Sequence, residues 1–458
     1  MFLLILYATQ TGNSEYICRI IEQERNKHGD DSLILSLDEF NIDKINQFEK
    51  IIFVVSTHGE GDPPFNAAEF YDKLKNIKYI LTNSKTDTNI FNFEYFILGL
   101  GSTSYKYYNQ FAKSLDRLLG ALGAKRGDVV LADDNDSEGF YTELNQFIKI
   151  LDSHLKADEK FIKNKAIINN CKKEIKYLKA TVISNKQIVS GKYKINRVIL
   201  DIPAYDNFIS GDCIGITPSK DYEHLSIPHW GIFKYLYSVC DQDDLYKNKL
   251  KDIADDYNEY YSYVKESNKN IKEILDDFKM KHLEINEEMK MHLNKIRTRW
   301  YTTSRNQQNG YYVIDYNVDN KKGLCVNYLL KIKENDQIDV KIGKSMLYFD
   351  QRKILIFCTG TGLSLAKAII DENLNREILV YYGHRDHNDC LLTDNYKTRS
   401  NVVIKCVRSR IEGKYIQDRF KEDNVNVDEY MIYLCGSVRM SRSIRKILKG
   451  KVIQSETW

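Results

Sequence analysis

The chain has 458 residues, enough for roughly two to four domains, and 67 Lys and Arg nearly balance 64 Asp and Glu. This balance argues against nucleic acid as the main partner, which would require a concentrated basic face. The 9 cysteines form no CxxC pair, which argues against a disulfide framework or a structural zinc site and fits a reducing compartment. The apolar run after Met1 is too short to span a bilayer and lacks a basic flank. We interpret it as a buried first strand.

Residues 1–155 alternate predicted strands with predicted helices. The strands are continuous apolar runs, which is typical of a parallel sheet covered on both faces. The predicted strands are 2–7, 33–37, 51–55, 95–99 and 128–131, with helices such as 15–27 and 67–75 between them. This pattern predicts a doubly wound α/β domain. The charged stretch 156–176 is interpreted as a linker.

The second half of the chain changes pattern twice. Short alternating runs from 177 to about 218 predict an antiparallel β-barrel. Residues 241–299 contain neither Gly nor Pro, and their apolar residues recur near helical spacing, so about 221–298 is predicted to be a helical insertion. Strand-like runs resume at 311–316 and 323–331. A second βα domain is predicted from 351 to 458.

Four loops of the first domain have the composition of ligand loops. Ligands of open α/β sheets bind at the carboxyl ends of the strands. After the first strand, the turn Thr9, Gln10, Thr11, Gly12 and Asn13 enters a helix, whose backbone N–H groups could hold a phosphate. The turn lacks the Lys of a Walker-type loop. An ordinary N-capped helix is the alternative.

The loops after the third, fourth and fifth strands could surround a flat ring. Two glycines of the third-strand loop allow close backbone approach, and a tyrosine of the fourth could stack on the ring. A surface aromatic and a solvated turn are the alternatives for the tyrosine and for the fifth-strand loop. The residues concerned are Ser56, Thr57, His58, Gly59, Glu60, Gly61, Gly99, Leu100, Gly101, Ser102, Tyr105, Asn109 and Asp133.

These four loops, in this order, resemble those of the flavodoxin-like FMN domain of cytochrome P450 reductase relatives. The resemblance covers about residues 1–155. It implies that 9–13 bind the FMN phosphate and that the three later loops line the ring. His58 stands at a position that is aromatic in P450 reductase, which leaves the second stacking partner of the ring open.

The segment "RWYTTS" resembles the RxYS segment of the ferredoxin-reductase superfamily. In that chemistry Arg299 clamps the FAD pyrophosphate, Tyr301 stacks on the isoalloxazine, and Thr302 hydrogen-bonds the flavin N5. A strand that ends in an exposed Arg is the structural alternative. A later segment resembles a family turn whose backbone meets the same pyrophosphate. It comprises Gly323, Leu324, Cys325 and Val326.

A glycine turn between a strand and a helix begins the last domain and is typical of a pyrophosphate cradle. It consists of Thr359, Gly360, Thr361 and Gly362. With the segments that follow, it resembles the NADPH module of the same superfamily, although the usual Ala-Pro-Phe is replaced and the KxYxQ lysine falls at Gly413. Its implied nucleotide-binding residues are Arg385, Ser409, Arg410, Lys414, Tyr415 and Gln417. A solvated basic loop is the alternative for the last five.

Three residues near the end of the chain are candidate catalytic groups together with Thr302. The resemblance implies that Trp458 covers the FAD ring where the nicotinamide must arrive. It also implies that Cys435 flanks the carbon that transfers hydride and that Glu456 stabilises the developing nicotinamide charge. The alternatives are a buried core thiol and a frayed terminus.

The complete order of segments resembles the diflavin reductases. The resemblance implies an α/β multidomain protein with a flavodoxin-like FMN domain at 1–155, a linker at 156–176, a ferredoxin-reductase-like FAD barrel at 177–350 and an NADPH-binding domain at 351–458. Electrons would pass from NADPH to FAD, to FMN and to a protein acceptor, and no metal is expected.

The short length, the "GDPP" and the "ETW" look most like the cytosolic NADPH-dependent diflavin oxidoreductases, which serve an anamorsin-type Fe–S protein in iron–sulfur assembly. We therefore expect a cytoplasmic enzyme without membrane or nucleic-acid partners. A sulfite- or methionine-synthase-reductase type and a non-redox flavodoxin-like scaffold are the alternatives.

Overall fold

The computed structural model describes residues 2–59, 61–84, 89–133, 137–155, 171–173, 177–190, 194–241, 244–294, 296–306, 308–318, 323–345, 347–393, 396 and 398–457. The chain forms two compact units. The first unit combines Met1–Ile175 with Glu223–Lys295, and the second combines Lys176–Tyr222 with Ile296–Trp458. No helix in the described ranges has the length and apolar character that a membrane crossing requires.

A five-stranded parallel sheet forms the centre of the first unit. Its strands are β1 (Phe2–Ala8), β2 (Asp31–Ser36), β3 (Lys50–Ser56), β4 (Glu94–Gly101) and β5 (Lys125–Asp133), in the order β2-β1-β3-β4-β5. Alternate residues of β1 face opposite sides, so Leu4 and Leu6 enter one core while Leu3 and Ile5 enter the other. Burial of both faces explains why the predicted strands are continuous apolar runs.

Four helices cover the two faces of this sheet. They are α1 (Asn13–Lys27), α2 (Phe65–Asn83), α3 (Gln110–Ala121) and α4 (Ser137–His154), and a 3-10 turn lies at Ile42–Gln47. Apolar residues of α1 and α4 share one core, whereas those of α2 and α3 share the other. The predicted doubly wound domain is thus confirmed.

The insertion is helical, as predicted. Its elements are α5 (Ile232–Val239), α6 (Asp244–Asp255), α7 (Tyr257–Tyr260), a π-helical turn (Tyr261–Glu266), α8 (Ile271–Asp277) and α9 (Glu287–Met291). A single apolar cluster holds them together, with Phe233, Leu250, Val264 and Ile274 among its members. The insertion therefore has a core of its own.

Helix α1 fastens the insertion to the sheet of the first unit. The buried Arg19 donates to the carbonyl oxygen of Met291 at 2.9 Å and pairs with Glu15 at 2.9 Å. The rings of Tyr16 and His229 are stacked, with centroids 4.3 Å apart and planes within 5°. The chain order groups the insertion with the predicted barrel domain, while its packing groups it with the flavodoxin-like sheet.

A closed antiparallel barrel forms the first part of the second unit, as predicted. Its strands are β6 (Leu178–Ser190), β7 (Lys194–Asp201), β8 (Cys213–Ile216), β9 (Arg299–Arg305), β10 (Tyr312–Asn317) and β11 (Gln337–Gly343), in the order β10-β7-β6-β11-β8-β9. The prediction of a strand-like run at 323–331 is wrong, because the chain forms helix α10 (Leu324–Lys331) there. Cys325 and Leu329 lie four residues apart and are both buried, which is the spacing of one helical face.

A second parallel sheet completes this unit and confirms the predicted βα domain. Its strands are β12 (Lys353–Thr359), β13 (Ile378–His384), β14 (Val402–Arg408), β15 (Tyr430–Gly436) and β16 (Ile453–Thr457), in the order β14-β13-β12-β15-β16. Its helices are α11 (Leu363–Glu372), α12 (Ser409–Glu412), α13 (Ile416–Asp423) and α14 (Val438–Ile447), and 3-10 turns lie at Gly360–Gly362, His387–Asp389 and Val427–Glu429.

Candidate active site

The turn after β1 is closed on itself and leaves backbone donors exposed at a helix start. Oγ1 of the buried Thr9 accepts from the Gly12 N–H at 2.9 Å, and Gly12 has a φ of 110°, which favours glycine. Helix α1 then begins at Asn13, so its first N–H groups have no intrahelical acceptor. The buried Ser14 Oγ has no hydrogen-bond partner among the described residues. These donors fit a phosphate.

The loop after β3 is a tight turn held by its backbone. His58 and Asp62 exchange N–H···O bonds of 2.9 and 2.8 Å, and Gly59 and Gly61 take φ values of 55° and 97°. Desolvation lowers the pKa of the His58 imidazole, although Asp62 opposes the shift. His58 is therefore largely neutral at pH 7. Glu60, a predicted ligand residue, lies outside the described residues.

Two side-chain contacts fix the ends of the β3 loop. Ser56 Oγ donates to the Ala8 carbonyl at 3.3 Å, and Thr57 Oγ1 accepts from the Phe111 N–H at 3.2 Å. In register, Ser56 stands beside Leu100 of β4. The predicted residues of these two loops thus share one edge of the sheet.

Asn109 organises the loop after β4. Its side chain is fully buried, its φ is 52°, and its Nδ2 donates to the Ala132 carbonyl at 3.1 Å. Its Oδ1 has no hydrogen-bond partner among the described residues. A Cβ on Gly99 would lie 2.9 Å from that oxygen, and one on Gly101 would lie 3.3 Å from it. The two glycines are therefore needed for the amide to enter the loop.

The outer part of the same loop is joined to β5. Thr103 donates its N–H to Asp133 Oδ2 at 3.0 Å, and Ser102 and Ser104 share a hydroxyl contact of 2.7 Å. The Tyr105 side chain is 60% exposed, a position from which its ring can cover a flat ligand. The four predicted loops meet at the carboxyl edge of one sheet, as a flavin site requires.

Strand β9 and helix α10 bring three of the predicted FAD residues together. Tyr301 donates a hydrogen bond to the Cys325 thiol, and burial raises the pKa of both groups, that of Cys325 to about 11. Arg299 is exposed at the start of β9, and its charge acts on both residues. Thr302 lies beside Cys213 in register.

Helix α10 turns its N-terminus toward this group. Gly323 stands at its N-cap, and the N–H groups of Leu324, Cys325 and Val326 lie in its first turn, where they lack intrahelical acceptors. A guanidinium and a helix N-terminus are both anion-binding groups. This donor set fits a pyrophosphate.

Glycines bring the nucleotide turn against the end of β15. Thr359 ends β12, Gly360 has a φ of 54°, and a Cβ on Gly362 would lie 2.3 Å from the Cys435 carbonyl oxygen. The 3-10 turn over Gly360–Gly362 includes Thr361 and leads directly into α11. The absence of a Cβ at Gly362 thus lets the turn approach the backbone at the end of β15 this closely.

The strand register brings two predicted catalytic positions together. Cys435 is fully buried and stands between Cys358 of β12 and Glu456 of β16. The side chain of Glu456 and all of Trp458 lie outside the described residues. The backbone thus places positions 435 and 456 opposite each other on neighbouring strands.

Two arginines lie side by side beyond β13 and β14. The Arg410 N–H donates to the Arg385 carbonyl at 3.0 Å, and desolvation followed by the Arg410 charge lowers the pKa of Arg385. Ser409 Oγ reaches the His384 carbonyl at 3.5 Å. The exposed Lys414 instead pairs with Glu422 at 2.5 Å. The structure therefore gathers Arg385, Ser409 and Arg410.

The other two predicted residues of this loop lie at the start of α13. Tyr415 is 52% exposed at the N-cap, and Gln417 is partly buried in the first turn. No contact in the described residues joins either side chain to the two arginines, so their roles stay predictions.

The sequence analysis did not select two residues that shape these sites. Asn66 Oδ1 accepts from the Thr9 N–H at 3.0 Å, and its position after "PPF" at the start of α2 is a usable signal. Asp389 is buried, and neither carboxylate oxygen has a hydrogen-bond partner among the described residues. Burial raises its pKa, while Arg385 and Arg410 act in the opposite direction. No sequence motif marks Asp389.

Two family models match the chain. The flavodoxin model matches residues 5–147, and the oxidoreductase NAD-binding domain model matches residues 356–446.

Several curated relatives match nearly the whole chain, and three of them are reductases or reductase components. NADPH-dependent diflavin oxidoreductase 1 of Schizosaccharomyces pombe is 21% identical over 558 positions, covering 98% of this chain and 94% of the relative. The sulfite reductase (NADPH) flavoprotein alpha-component of Vibrio parahaemolyticus is 22% identical, covering 97% and 81%. NADPH–cytochrome P450 reductase of Dictyostelium discoideum is 22% identical, covering 97% and 84%.

The two parallel sheets, the barrel between them in sequence and the glycine-rich loops at their edges define a multidomain flavin-dependent oxidoreductase. More particularly, the chain is an NADPH-dependent diflavin reductase, similar over nearly its whole length to a diflavin oxidoreductase and a cytochrome P450 reductase, and its cofactors are FMN, FAD and NADPH. This assignment sets aside the alternative of a scaffold without redox chemistry.

Proposed function

We propose that this diflavin reductase acts in the cytoplasm and delivers electrons to an anamorsin-type Fe–S protein in iron–sulfur assembly. The observation that carries the proposal is the likeness to the S. pombe diflavin oxidoreductase, which extends over nearly all of both chains. The sulfite reductase relative is covered over a smaller share of its length, which favours the diflavin oxidoreductase type over that alternative.

We propose that the turn 9–13 holds the FMN phosphate and that the loops after β3, β4 and β5 hold its ring. The closed turn at Gly12 and the donors of α1 support the first part. Two observations support the position of the ring. The Tyr105 side chain is exposed and can stack on a flat ligand, and the Thr103–Asp133 hydrogen bond holds the β4 loop in place beside β5.

For the hydride site, Arg299 and the α10 N-terminus would hold the FAD pyrophosphate, with Tyr301 and Thr302 beside the ring. Bound NADPH supplies the hydride, and the two flavins convert it into single electrons. Cys435 and Glu456 would border the reacting ring, and the indole of Trp458 would cover it. The neighbouring register of 435 and 456 supports this placement.

For nucleotide choice, Arg385, Ser409 and Arg410 would bind the ribose 2′-phosphate of NADPH. The Arg410 N–H donates to the Arg385 carbonyl at 3.0 Å, and Ser409 is the neighbouring residue, so two guanidinium groups and a hydroxyl start from adjoining backbone. Guanidinium groups and hydroxyls are donors that suit a phosphate.

The acceptor is tested by anaerobic mixing of the purified holoenzyme and NADPH with an anamorsin-type Fe–S protein, followed by the visible spectrum of its cluster. We expect cluster reduction at catalytic enzyme concentrations and a rate that falls with ionic strength. A sulfite reductase haem subunit is the comparison acceptor. Faster reduction of that haem protein, with an unreduced Fe–S protein, would contradict the proposed acceptor while leaving the diflavin reductase assignment intact.

A further inference from the structure

Helix α11 lies between the two places assigned to the reacting cofactors. It begins directly after the nucleotide turn Gly360–Gly362 and packs against barrel strand β9, which holds Tyr301 and Thr302. Residues 363–371 of the helix are all buried. Because the helix is enclosed in this way, the groups that hold it on the barrel also set the separation between the nucleotide turn and β9.

Lys367 places a cation of α11 against the barrel. Its Nζ donates to the Leu391 carbonyl at 2.9 Å and lies 3.9 Å from Oδ2 of Asp315 in β10. Asp315 is buried and also accepts two hydrogen bonds from Arg197 of β7, at 2.7 and 2.9 Å. The Arg197–Asp315 pair is complete within the barrel, so Lys367 is an additional charge that joins this pair to α11.

A second polar contact holds the end of the same helix. Glu372, the last residue of α11, accepts from the N–H and from the hydroxyl of the buried Ser210, at 2.8 and 2.7 Å. The five residues from Lys367 to Glu372 correspond to about 7.5 Å along a helix axis. Two contacts at that separation fix the direction of the axis as well as the position of the helix.

The surroundings of Lys367 make its charge depend on pH. Desolvation is the largest cause that lowers the pKa of its ammonium group to about 8, while the Asp315 charge opposes the shift and the Arg197 charge adds to it. The other titratable groups that face it come from β12, from α11 itself and from the segment after β13, and they are Cys358, Asp371, Cys390 and Tyr396. The neutral amine is less costly to bury but no longer attracts Asp315. The contact between α11 and the barrel should therefore weaken as the pH rises through about 8.

We propose that Lys367 is a positioning residue for hydride transfer, which holds α11 on the barrel through Asp315 so that the nucleotide turn stands at a fixed distance from β9. Its effect is exerted through the helix, because a misplacement of about 1 Å between reacting groups can cost on the order of a hundredfold in rate. The Glu372–Ser210 contact supports the same alignment from the end of the helix. This inference rests on the proposed places of FAD at β9 and of NADPH at the 360–362 turn.

The test is the rate at which NADPH reduces FAD in a single turnover of the anaerobic holoenzyme, followed by stopped-flow absorbance at several NADPH concentrations. We expect Lys367→Met to lower the limiting rate roughly tenfold to a hundredfold. Binding of 2′,5′-ADP, which carries the 2′-phosphate but no nicotinamide, should stay unchanged, because the nucleotide domain itself stays folded. The control Lys421→Met removes an exposed lysine of the same domain and should change neither quantity.

Two further measurements separate positioning from a general loss of structure. The limiting rate of the wild type should fall as the pH rises through about 8, and Lys367→Met should not show this step. The wild-type profile remains informative even if the variant does not fold. The change that saturating NADP⁺ causes in the visible flavin spectrum should also be smaller in Lys367→Met, because the nicotinamide ring then lies less close to the flavin.

Three outcomes would overturn the role of Lys367: an unchanged limiting rate in Lys367→Met, a loss that 2′,5′-ADP binding shares, or a wild-type rate that stays flat between about pH 7 and pH 9.5. Thr302→Val distinguishes these from an error in the proposed FAD position. If Thr302→Val slows FAD reduction and Lys367→Met does not, only the positioning role is wrong. If neither variant slows it, the place assigned to FAD is wrong as well.

Discussion

At the residue scale, two glycines join the nucleotide turn to the strand that carries Cys435. A Cβ on Gly362 would lie 2.3 Å from the Cys435 carbonyl oxygen, and one on Gly436 would lie 2.2 Å from Thr359 Oγ1. Gly436 also has a φ of 147°. The end of β12 and the turn Gly360–Gly362 therefore lie so close to the end of β15 that a Cβ at Gly362 or Gly436 does not fit without a shift of its neighbours.

We predict that Gly362→Ala and Gly436→Ala each destabilise the protein by about 1–3 kcal/mol, as overpacking typically does, and also raise the Michaelis constant for NADPH. Gly360→Ala is the matched control, because its φ of 54° is strained but no atom lies within 4 Å of its Cβ position. Thermal unfolding and NADPH-dependent reduction of a small acceptor measure both effects. A milder effect at Gly362 than at Gly360 would contradict the close approach.

Nucleotide preference is also decided by single residues. We predict that Arg410→Ala raises the Michaelis constant for NADPH roughly tenfold to a hundredfold, because a hydrogen bond to a charged group contributes about 1.5–3 kcal/mol. The constant for NADH should barely change, since NADH lacks the 2′-phosphate. Lys414→Ala is the control and should have a smaller effect, because Lys414 already pairs with Glu422. Equal losses with both nucleotides would assign Arg410 to the fold or to the shared pyrophosphate.

The ligand loops are visible in the sequence because each uses contiguous residues. Thr9 through Asn13 form one turn in both the sequence and the structure, and so do Gly360 through Gly362. The contacts of Arg19 with Leu293 span 274 positions. No local pattern predicts such a pair, so the packing of the insertion on α1 could not be predicted from sequence alone.

At the element scale, most predicted strands and helices agree with the structure, because the burial of their faces sets the spacing of the apolar residues along each element. The run 323–331 was ambiguous: it is short and apolar, and periodicity cannot separate a short strand from a buried helix. Tertiary packing decides in favour of the helix, because Cys325 and Leu329 both pack on the barrel core. A helix there also presents its N-terminus near Tyr301, which a strand would not do.

Helix α11 contains a buried lysine whose titration is testable. Lys367 Nζ donates to the Leu391 carbonyl at 2.9 Å and lies 3.9 Å from Asp315, and desolvation lowers its pKa from 10.5 to about 8. Between these values the unfolded chain binds more protons than the folded protein. The free energy of unfolding therefore rises with pH across that window.

We predict that the unfolding free energy of the wild type, minus that of Lys367→Met, is flat below pH 8. It should then increase by up to about 3 kcal/mol by pH 10.5. Lys421→Met, on the exposed face of α13 in the same domain, is the control for general alkaline effects. Urea unfolding at several pH values measures the differences. A Lys367 difference that does not vary with pH would mean that its ammonium titrates normally.

At the scale of the whole molecule, chain order and packing divide the protein differently. The insertion follows the first barrel strands in sequence, yet it belongs to the unit of the flavodoxin-like sheet. The predicted linker also contributes to that unit where it is described, since Cys171 is buried there and its carbonyl accepts from the Asn41 N–H at 2.8 Å. The remainder of the linker lies outside the described residues. The predicted domain boundaries therefore call for a direct test.

We predict that a fragment of residues 1–173 folds and binds FMN, because both cores of the first sheet lie within it. It should be more stable than 1–155, which lacks the Cys171 contacts. Chromatography of the released cofactor identifies the flavin, and titration gives its affinity. FAD in either fragment would contradict the assignment of the first sheet to FMN.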